Sequence, residues 1–401
     1  MNILQINATD DPIGGASRIA FDLYSALKKE YVSKMIVGKK TQNGDDIRPI
    51  PKTFLQKALS YAFSNDISFF KTDFILDTKE FKEADIVHCH NLHGWYFNLN
   101  TLKKMTAKKP LVWTLHDMWA ITPHCAHSYG ESMVEGFYLC RSLSDYPTTL
   151  WNNDKRLCRR KRDIYNNSDF TIVVPSQWLY DKVKKSILGT KDICIIHNSV
   201  DTKIFTRKNK QKSRIELGLP MDKNIILFAA NGGLDNIFKG GVYVRELIEK
   251  NRRDTSMVFV CIGGNEDKEI DNVIYRKKIS SKGIMAQYLN ACDSLVFPSI
   301  AENSPLIILE AMACGLPIVS FDVGGVKEIL THKENGFVAR YGDIEDLLSG
   351  IRWLSSLSDV EKEEISIASS EKIKSVYDIK KMTAAYLNLY NKIYENKQKR
   401  S

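Results

Sequence analysis

Two glutamates and a proline give the stretch from Ser299 to Gly315 its chemical character. Glu302-Asn303-Ser304-Pro305-Leu306-Ile307-Ile308-Leu309-Glu310-Ala311-Met312-Ala313-Cys314-Gly315 begins as a polar loop and continues as an apolar helical run. Asn303 and Ser304 are its predicted caps, and Pro305 takes a first-turn position. A helix start presents unpaired amides and the positive end of the helix dipole, so it suits a diphosphate without a metal. Glu302, in the loop, is placed to reach sugar hydroxyls; Glu310, about two turns along, is placed to accept bonds from a ribose. Two glutamates at this spacing would mean little alone. Ser-x-x-Glu followed by Pro-Leu and Glu-Ala-Met-Ala-x-Gly is far more restrictive. Three weaker signals accompany it. Lys239-Gly240 falls between a strand and a helix, which favours a ligand loop over a plain loop end. His116 closes a buried strand, where a histidine is either a satisfied core residue or a functional group. Gly14-Gly15 follows the first strand, a turn that by itself needs only φ freedom.

These residues need elements to hold them. Ile3-Leu4-Gln5-Ile6 reads as a short apolar strand, followed by the glycines and the helical pattern Ile19, Ala20, Leu23, Leu27. Residues 85–88, 111–115, 170–174 and 193–196 read as further buried strands, so parallel-sheet layering follows. The polar, cation-rich stretch from Asn198 to Arg214 reads as a crossing between domains. Strands then resume at 225–228 and 257–261, and strands 294–297 and 317–320 enclose a helix over about 305–313. The expected division is residues 1–205, an N-terminal Rossmann-like domain; 206–378, a C-terminal one; and 379–401, a closing helix with a frayed basic tail from Lys397, packing back toward the N-terminal domain. Two open α/β domains facing across a cleft bring their strand ends, and with them the ligand loops, to one crevice.

With 401 residues, 43% hydrophobic and 26% charged, the chain has the composition of a folded protein rather than a disordered one. Its net charge of +9 suits nucleic acid, a membrane surface or anionic small molecules. No nucleic-acid module is recognisable, so nucleic acid is not an expected partner. The dense run Lys155–Arg162 reads either as a solvated helix face or as a contact for anionic lipid, and the aromatic, amphipathic stretch Phe54–Phe74 reads either as membrane-associating or as core. No apolar run is long enough to cross a bilayer and the N-terminus lacks signal-peptide character, so a cytoplasmic location is expected, peripheral to the inner face of the plasma membrane if the lipid reading holds. The eight cysteines are then expected as thiols without disulfides. His124, Cys125, His127, Cys140 and Cys158 bring metal-ligating types together without a tight Cys-x-x-Cys pair, and no metal site is expected. Nearby Trp119, Tyr129, Phe137 and Tyr138 read as packing or as stacking surfaces for an acceptor sugar.

Ser299 through Ser320 resembles the signature of the retaining GT-B glycosyltransferases with a Glu-x7-Glu motif. Gly14-Gly15-Ala16, Trp113-Thr114-Leu115-His116-Asp117, Pro175-Ser176 and Asn198-Ser199-Val200-Asp201 extend the resemblance over nearly the whole chain. Trp113 to Trp119, the cysteine-bearing insertion after Pro123 and Pro175-Ser176-Gln177-Trp178 are most similar to the colanic-acid and surface-polysaccharide type. The resemblance implies a GT-B fold and transfer of a sugar from a UDP-, GDP- or ADP-sugar to a hydroxyl of a growing polysaccharide or lipid-linked oligosaccharide, with retention and without metal or cofactor. It assigns Glu302 to the donor sugar, the amides of Asn303, Ser304, Pro305 and Leu306 to sugar and diphosphate, and Glu310 to the ribose. Lys239 with Gly240 goes to the diphosphate, Gly14 and Gly15 to the donor loop, and His116 to the transferring sugar. Such enzymes usually carry an arginine five residues before the lysine, where this chain has Leu234. Either another cation substitutes, with Arg18 a candidate, or leaving-group stabilisation is weaker. Two alternatives stay open: a sugar-nucleotide isomerase or hydrolase on the same fold, and a non-catalytic scaffold subunit of an assembly complex.

Overall fold

The computed structural model describes residues 1–399; Arg400 and Ser401, the end of the predicted basic tail, lie outside the described residues. The chain divides into two compact units, one formed by Met1–His197 with the segment from Lys380 onward, the other by Asn198–Ile379.

In the first unit the strands are β1 (Asn2–Thr9), β2 (Val32–Lys39), β3 (Ile47–Pro49), β4 (Ile86–Cys89), β5 (Leu111–Thr114), the short hairpin β6 (Met133–Val134) and β7 (Phe137–Tyr138), β8 (Thr171–Val174) and β9 (Ile193–Ile195). Apart from the hairpin they form one sheet in the order β3-β2-β1-β4-β5-β8-β9, every pair parallel. Near-continuous apolar runs make this possible, because a parallel sheet is covered on both faces. Leu4, Ile6, Val87, Trp113 and Ile172 accordingly sit in one core.

The second unit repeats the plan with β10 (Asn224–Ala229), β11 (Met257–Gly264), β12 (Lys268–Ile270), β13 (Val273–Lys277), β14 (Ser294–Phe297), β15 (Ile318–Phe321) and β16 (Phe337–Ala339). Their order is β12-β13-β11-β10-β14-β15-β16, with only β12 antiparallel to its neighbour. Both units are Rossmann-like, doubly wound α/β folds, as expected from the recurring strand–turn–helix pattern. In each, strand order reverses beside the first strand, between β1 and β4 and between β10 and β14. Ligands of open α/β sheets bind outside the carboxyl ends of the strands at such a switch point.

The predicted crossing differs from what is observed. The units divide at His197–Asn198, and the polar stretch that follows packs into the second unit. Val200 and Phe205 are core residues there, and Val200 exchanges backbone bonds with Tyr377 and Ile379. Two buried apolar side chains decide the matter against the surrounding cations. The closing helix runs Ile379–Gln398, so Lys397 and Gln398 are helical rather than frayed. Its Tyr386 hydroxyl lies 2.9 Å from Thr114 Oγ1, and its Tyr390 hydroxyl 2.7 Å from His88 Nδ1, both contacts buried in the first unit.

The cysteine expectation is overturned. Cys125 and Cys140 form a disulfide, with Cα atoms 5.8 Å apart. The β6–β7 hairpin turns the insertion back on itself, Ser128 Oγ donates to the Leu139 carbonyl at 2.8 Å, and the two cysteines are brought within bonding range. Among the described residues no group of three or more His, Cys, Asp or Glu is arranged to hold a metal ion. Trp119, Phe137 and Tyr138 are fully buried, which makes them packing residues and not stacking surfaces.

The cationic run lies on the helix Asp154–Asn166, but it is not wholly a solvated face. Lys161 is buried, donating to the carbonyls of Trp119 at 2.6 Å and Thr122 at 3.0 Å, with its ammonium 3.8 Å from the Trp119 ring centroid. Burial drives its amine down to about 8. Only Phe54–Ala62 of the stretch ending at Phe74 forms an α-helix, opened by a Thr53–Gln56 capping box. Ile67 and Phe70 turn into the core, whereas Phe54, Leu55, Tyr61 and Phe63 are exposed.

Candidate functional site

In the second unit, the loops at the ends of β10 and β14 meet. The first is shaped by Asn236, whose side-chain oxygen accepts from the amides of Phe238 and Lys239 at 3.0 and 3.1 Å. Gly240 follows at φ +76°, and a Cβ there would stand 1.9 Å from the Pro298 carbonyl oxygen. Only glycine permits both that backbone and that approach. The Phe238 carbonyl in turn accepts from the Ile300 amide at 3.0 Å and lies 3.0 Å from the Ser299 hydroxyl. With the two loops clamped, Lys239 Nζ donates to Glu302 Oε1 at 2.5 Å, and Ser299 Oγ lies 2.7 Å from the same oxygen. Glu302 is 8% exposed at its side chain and Lys239 38%, so the pair is anchored at the acid and open at the base.

The helix Leu306–Ala313 starts immediately after this pair. Pro305 occupies its N-cap position with extended backbone, and no side chain caps the helix. The predicted capping by Asn303 and Ser304 does not occur, and Pro305 precedes the first turn instead of joining it. Both residues are tied elsewhere by their carbonyls, Asn303 accepting from the Gly325 amide at 3.0 Å and Ser304 from the Asn198 side chain at 3.0 Å. The consequence is a helix start whose first amides have no side-chain cap, the arrangement that suits an anion. Gly324, at φ +55°, supports the loop from below: a Cβ there would come within 1.8 Å of the Glu302 carbonyl oxygen. Glu310 is 4% exposed on the inner part of the helix. Leu234 packs against the sheet core, and its carbonyl accepts from Arg245 Nη1 at 2.9 Å.

In the first unit, Gly14 and Gly15 open the helix Gly15–Leu27, but neither needs unusual φ. Gly14 has φ −76° and is crowded by the Ser17 hydroxyl, whereas a Cβ on Gly15 would meet nothing within 4 Å. Arg18, one turn further, is 8% exposed with Nε 3.5 Å from Asp22. His116 stands just beyond β5, and His90 just beyond β4 lies 3.1 Å from it, Nδ1 to Nε2. The Gln5 amide, oriented so that it bonds Ala20 and Tyr24, donates to His90 Nε2 at 3.0 Å. His90 therefore carries its proton on Nδ1 and donates it to His116 Nε2, which leaves the His116 proton on Nδ1. Burial pushes His116 down to about 4 against the opposing pull of Asp117, and drives His88 and His90 well below their ordinary range. His116 is thus a neutral, oriented imidazole.

Sequence reasoning did not find His90, His93 or Arg245. His93 Nε2 bonds Asp117 Oδ2 at 2.7 Å. Burial works to raise the Asp117 carboxyl, but His93 and the Trp119 amide outweigh it and hold it below the usual carboxylate range. The signal available was the run His88-Cys89-His90-Asn91-Leu92-His93 at the end of a buried strand.

Comparison with known proteins fits this geometry. Residues 13–204 match the family described as Glycosyltransferase Family 4, and residues 224–356 the family described as Glycosyl transferases group 1. The putative colanic acid biosynthesis glycosyl transferase WcaC of Escherichia coli K12 is 25% identical over 98% of this chain and its own full length. Among solved structures, sucrose-phosphate synthase from Thermosynechococcus elongatus aligns over 99% of this chain and 100% of its own, with a TM-score of 0.72 at 16% identity. Anabaena Alr3699/HepE in complex with UDP aligns over 98% of this chain and 100% of its own, with a TM-score of 0.68 at 16% identity. The fold is that of GT-B glycosyltransferases, and the chain carries both halves of a glycosyltransferase.

Proposed function

From those two halves, we propose that the chain transfers a sugar from a nucleotide diphosphate sugar to a hydroxyl of a growing surface polysaccharide or lipid-linked oligosaccharide, with retention and without a metal or cofactor. The observation that carries the reading is the Lys239–Glu302 pair beside the uncapped start of the helix Leu306–Ala313. The helix amides and Lys239 take the diphosphate, so that charge on the departing group is met by fixed donors. Glu302 takes the donor-sugar hydroxyls while holding Lys239, and Glu310 takes the ribose. The neutral His116 is assigned to the transferring sugar, and Gly14 and Gly15 to the donor loop. No enzymic carboxylate is assigned as nucleophile, so departure and attack occur on one face and the leaving phosphate helps deprotonate the acceptor, unlike the two-carboxylate route of hydrolases. Arg245, whose guanidinium bonds the Leu234 carbonyl and pairs with Asp235, is a candidate for the role of the missing arginine if it exchanges Asp235 for the diphosphate, alongside Arg18.

The UDP complex of Alr3699/HepE supports a nucleotide donor, and the name of WcaC supports a surface polysaccharide as product. NMR of the product at the anomeric carbon tests retention; inversion contradicts it. Rapid donor breakdown without acceptor would favour an isomerase or hydrolase, and polysaccharide assembly undisturbed by Glu302→Ala would favour a scaffold.

A lipid-facing surface belongs to the same proposal. Phe54, Leu55, Tyr61, Phe63, Leu150 and Trp151 are exposed, and the Trp151 indole donates to the Ala62 carbonyl at 3.0 Å, which joins the two segments into one patch. Lys52 and Lys57 flank it. Sedimentation with anionic vesicles tests it, with loss of binding expected for Phe54→Asp with Leu55→Asp. No helix among the described residues is long and apolar enough to cross a membrane. A cytoplasmic location is also proposed. The Cys125–Cys140 disulfide stands against it, since the cytosol reduces such bonds, and thiol trapping in intact cells decides between them.

A further inference from the structure

The amino ends of β10, β14 and β15 border a cavity of about 800 Å³ that lies wholly within the second unit. Asn224 and Ser294, the first residues of β10 and β14, and Pro317, just before β15, form its floor. Open α/β sheets bind their substrates at the carboxyl ends of the strands, so this cavity is separate from the donor loops. Shared elements join the two. β14 runs from Ser294 toward the Ser299 loop, and the helix that starts beside Glu302 ends at Cys314 and Gly315 in the cavity wall. The cation-rich stretch after Phe205 forms another part of that wall, pinned by Asn290, whose side chain accepts from the Lys208 amide at 2.6 Å and donates to the Thr206 carbonyl at 3.0 Å. Gly315, at φ +73°, lets the wall close, since a Cβ there would stand 2.1 Å from Ser366 Oγ and 3.0 Å from Arg207 Cδ. Ser294 is 4% exposed, and among the described residues its hydroxyl has no hydrogen-bond partner.

The charges around the cavity do not cancel. Lys210 at 2.8 Å and Arg214, from behind, at 2.6 Å hold Asp293; Arg207 pairs with Glu363, and Lys223 lies 3.4 Å from Asp222. Lys208, Lys362 and Asp359 have no ion-pair partner among the described residues. Burial pushes the thiols of Cys292 and Cys314 up, the latter to about 12, so they add no charge. With Arg214 included, six cations face four carboxylates, an excess of two positive charges. The two unpaired cations stand at helix starts, Lys208 just before the helix Lys210–Leu217 and Lys362 in the first turn of the helix Asp359–Val376, where the positive end of each dipole adds to them. The helices Lys282–Ala291, Leu306–Ala313 and Ile344–Ser356 instead end at the cavity, and their last carbonyls are hydrogen-bond acceptors. One pole therefore suits a phosphate and the other suits hydroxyls. Among the described residues no aromatic side chain lines the cavity, so a nucleobase finds no ring to stack on.

We infer that this cavity is a second ligand site, distinct from the donor site, for a phosphorylated monosaccharide. Lys208 and Lys362 take the phosphate, whose charge of about −1.5 to −2 near neutral pH matches the positive excess. Ser294, Asn224 and the helix ends take the hydroxyls. The cavity falls within the volume range of small-molecule sites and is too large for a bare phosphate ion. The inference stands apart from the transferase reading, because none of these residues belongs to the donor loops.

Isothermal titration calorimetry of the full chain with glucose 6-phosphate, mannose 1-phosphate and galactose 1-phosphate tests it, with glucose, inorganic phosphate and AMP as comparators. At least one sugar phosphate is expected to bind, more tightly than any comparator. Lys208→Glu and Lys362→Glu, made separately, are each expected to weaken that binding tenfold or more, and an unchanged melting temperature without ligand shows that each variant is folded. Lys239→Ala, in the donor loop, is expected to leave the binding as it is. No sugar phosphate binding to wild type, full binding by both lysine variants, loss of binding in Lys239→Ala, or tighter binding of phosphate or AMP overturns the site. Failure of the transferase reading shows separately, as the absence of stabilisation by any nucleotide sugar.

Discussion

Lys239 and Glu302 stand 63 residues apart in sequence, yet one oxygen of the glutamate receives both the lysine and the Ser299 hydroxyl. Removing Glu302 takes the carboxylate from Lys239, and removing Lys239 leaves Glu302 with only the Ser299 hydroxyl beside the helix start. Glu302→Ala and Lys239→Ala are therefore each expected to lower transfer at least ~100-fold, on the scale of losing a donor aimed at developing charge, as measured by initial rates at saturating donor. The histidines make a second prediction. His88, His90 and His116 have native pKa values depressed below the unfolded value, so the unfolded chain binds more protons between about pH 6.5 and 4. Stability is then full above that window and falls as pH drops through it, with an uptake on unfolding approaching about three protons from this cluster. Urea midpoints across the window check this, and a flat profile contradicts it. At this scale the sequence exposed what chemistry writes as a motif: Glu302, Glu310, Lys239 and His116 were legible because their neighbours restrict them. His90 and His93 were not, because their role depends on two strands, β4 and β5, lying side by side, which no local spacing encodes.

Elements decide whether those side chains arrive in register. The close approach of Gly240 to the Pro298 carbonyl and of Gly324 to the Glu302 carbonyl means that neither loop tolerates a Cβ without moving. Gly324→Ala is expected to cost about 2 kcal/mol or more of stability, combining positive-φ strain with displaced backbone, and to lower donor affinity by shifting Glu302. Thermal unfolding and donor titration on the same variant separate the two effects. The closing helix carries a further prediction. Tyr390→Phe leaves His88 Nδ1 buried without its hydroxyl, a loss of roughly 1–3 kcal/mol, read in a denaturant titration. Long apolar strands were plain in the sequence, since 225–228 and 294–297 can only be buried. Short or mixed ones, such as β2 with Ser33 and Lys34 among its apolar residues, were missed because their polar residues find places only once the sheet exists. The helix caps were misjudged because Asn303 and Ser304 have cap chemistry but precede Pro305, which takes the N-cap position itself and has no side-chain oxygen to offer.

Across the whole molecule the same α/β plan appears twice, and in each unit the chemistry-bearing loops follow the strands that flank the reversal of strand order. That repetition explains why the fold class was legible from recurring strand–glycine–helix units, and why the division at His197–Asn198 was not: two apolar residues, Val200 and Phe205, bind a polar segment to the second core. The disulfide was equally hidden, because it depends on a hairpin within an insertion of little periodicity. The central claim is that the second unit binds a nucleotide diphosphate sugar through Lys239, Glu302 and the start of the helix Leu306–Ala313. Thermal unfolding of the full chain in EDTA, with UDP-, GDP- and ADP-sugars in turn, tests it most directly, because a ligand bound only by the folded state raises its stability by RT ln(1 + [L]/Kd). The account predicts that one nucleotide series raises the melting temperature without metal and that Lys239→Ala abolishes the rise. Stabilisation by none of them, or a rise that Lys239→Ala leaves intact, would contradict it.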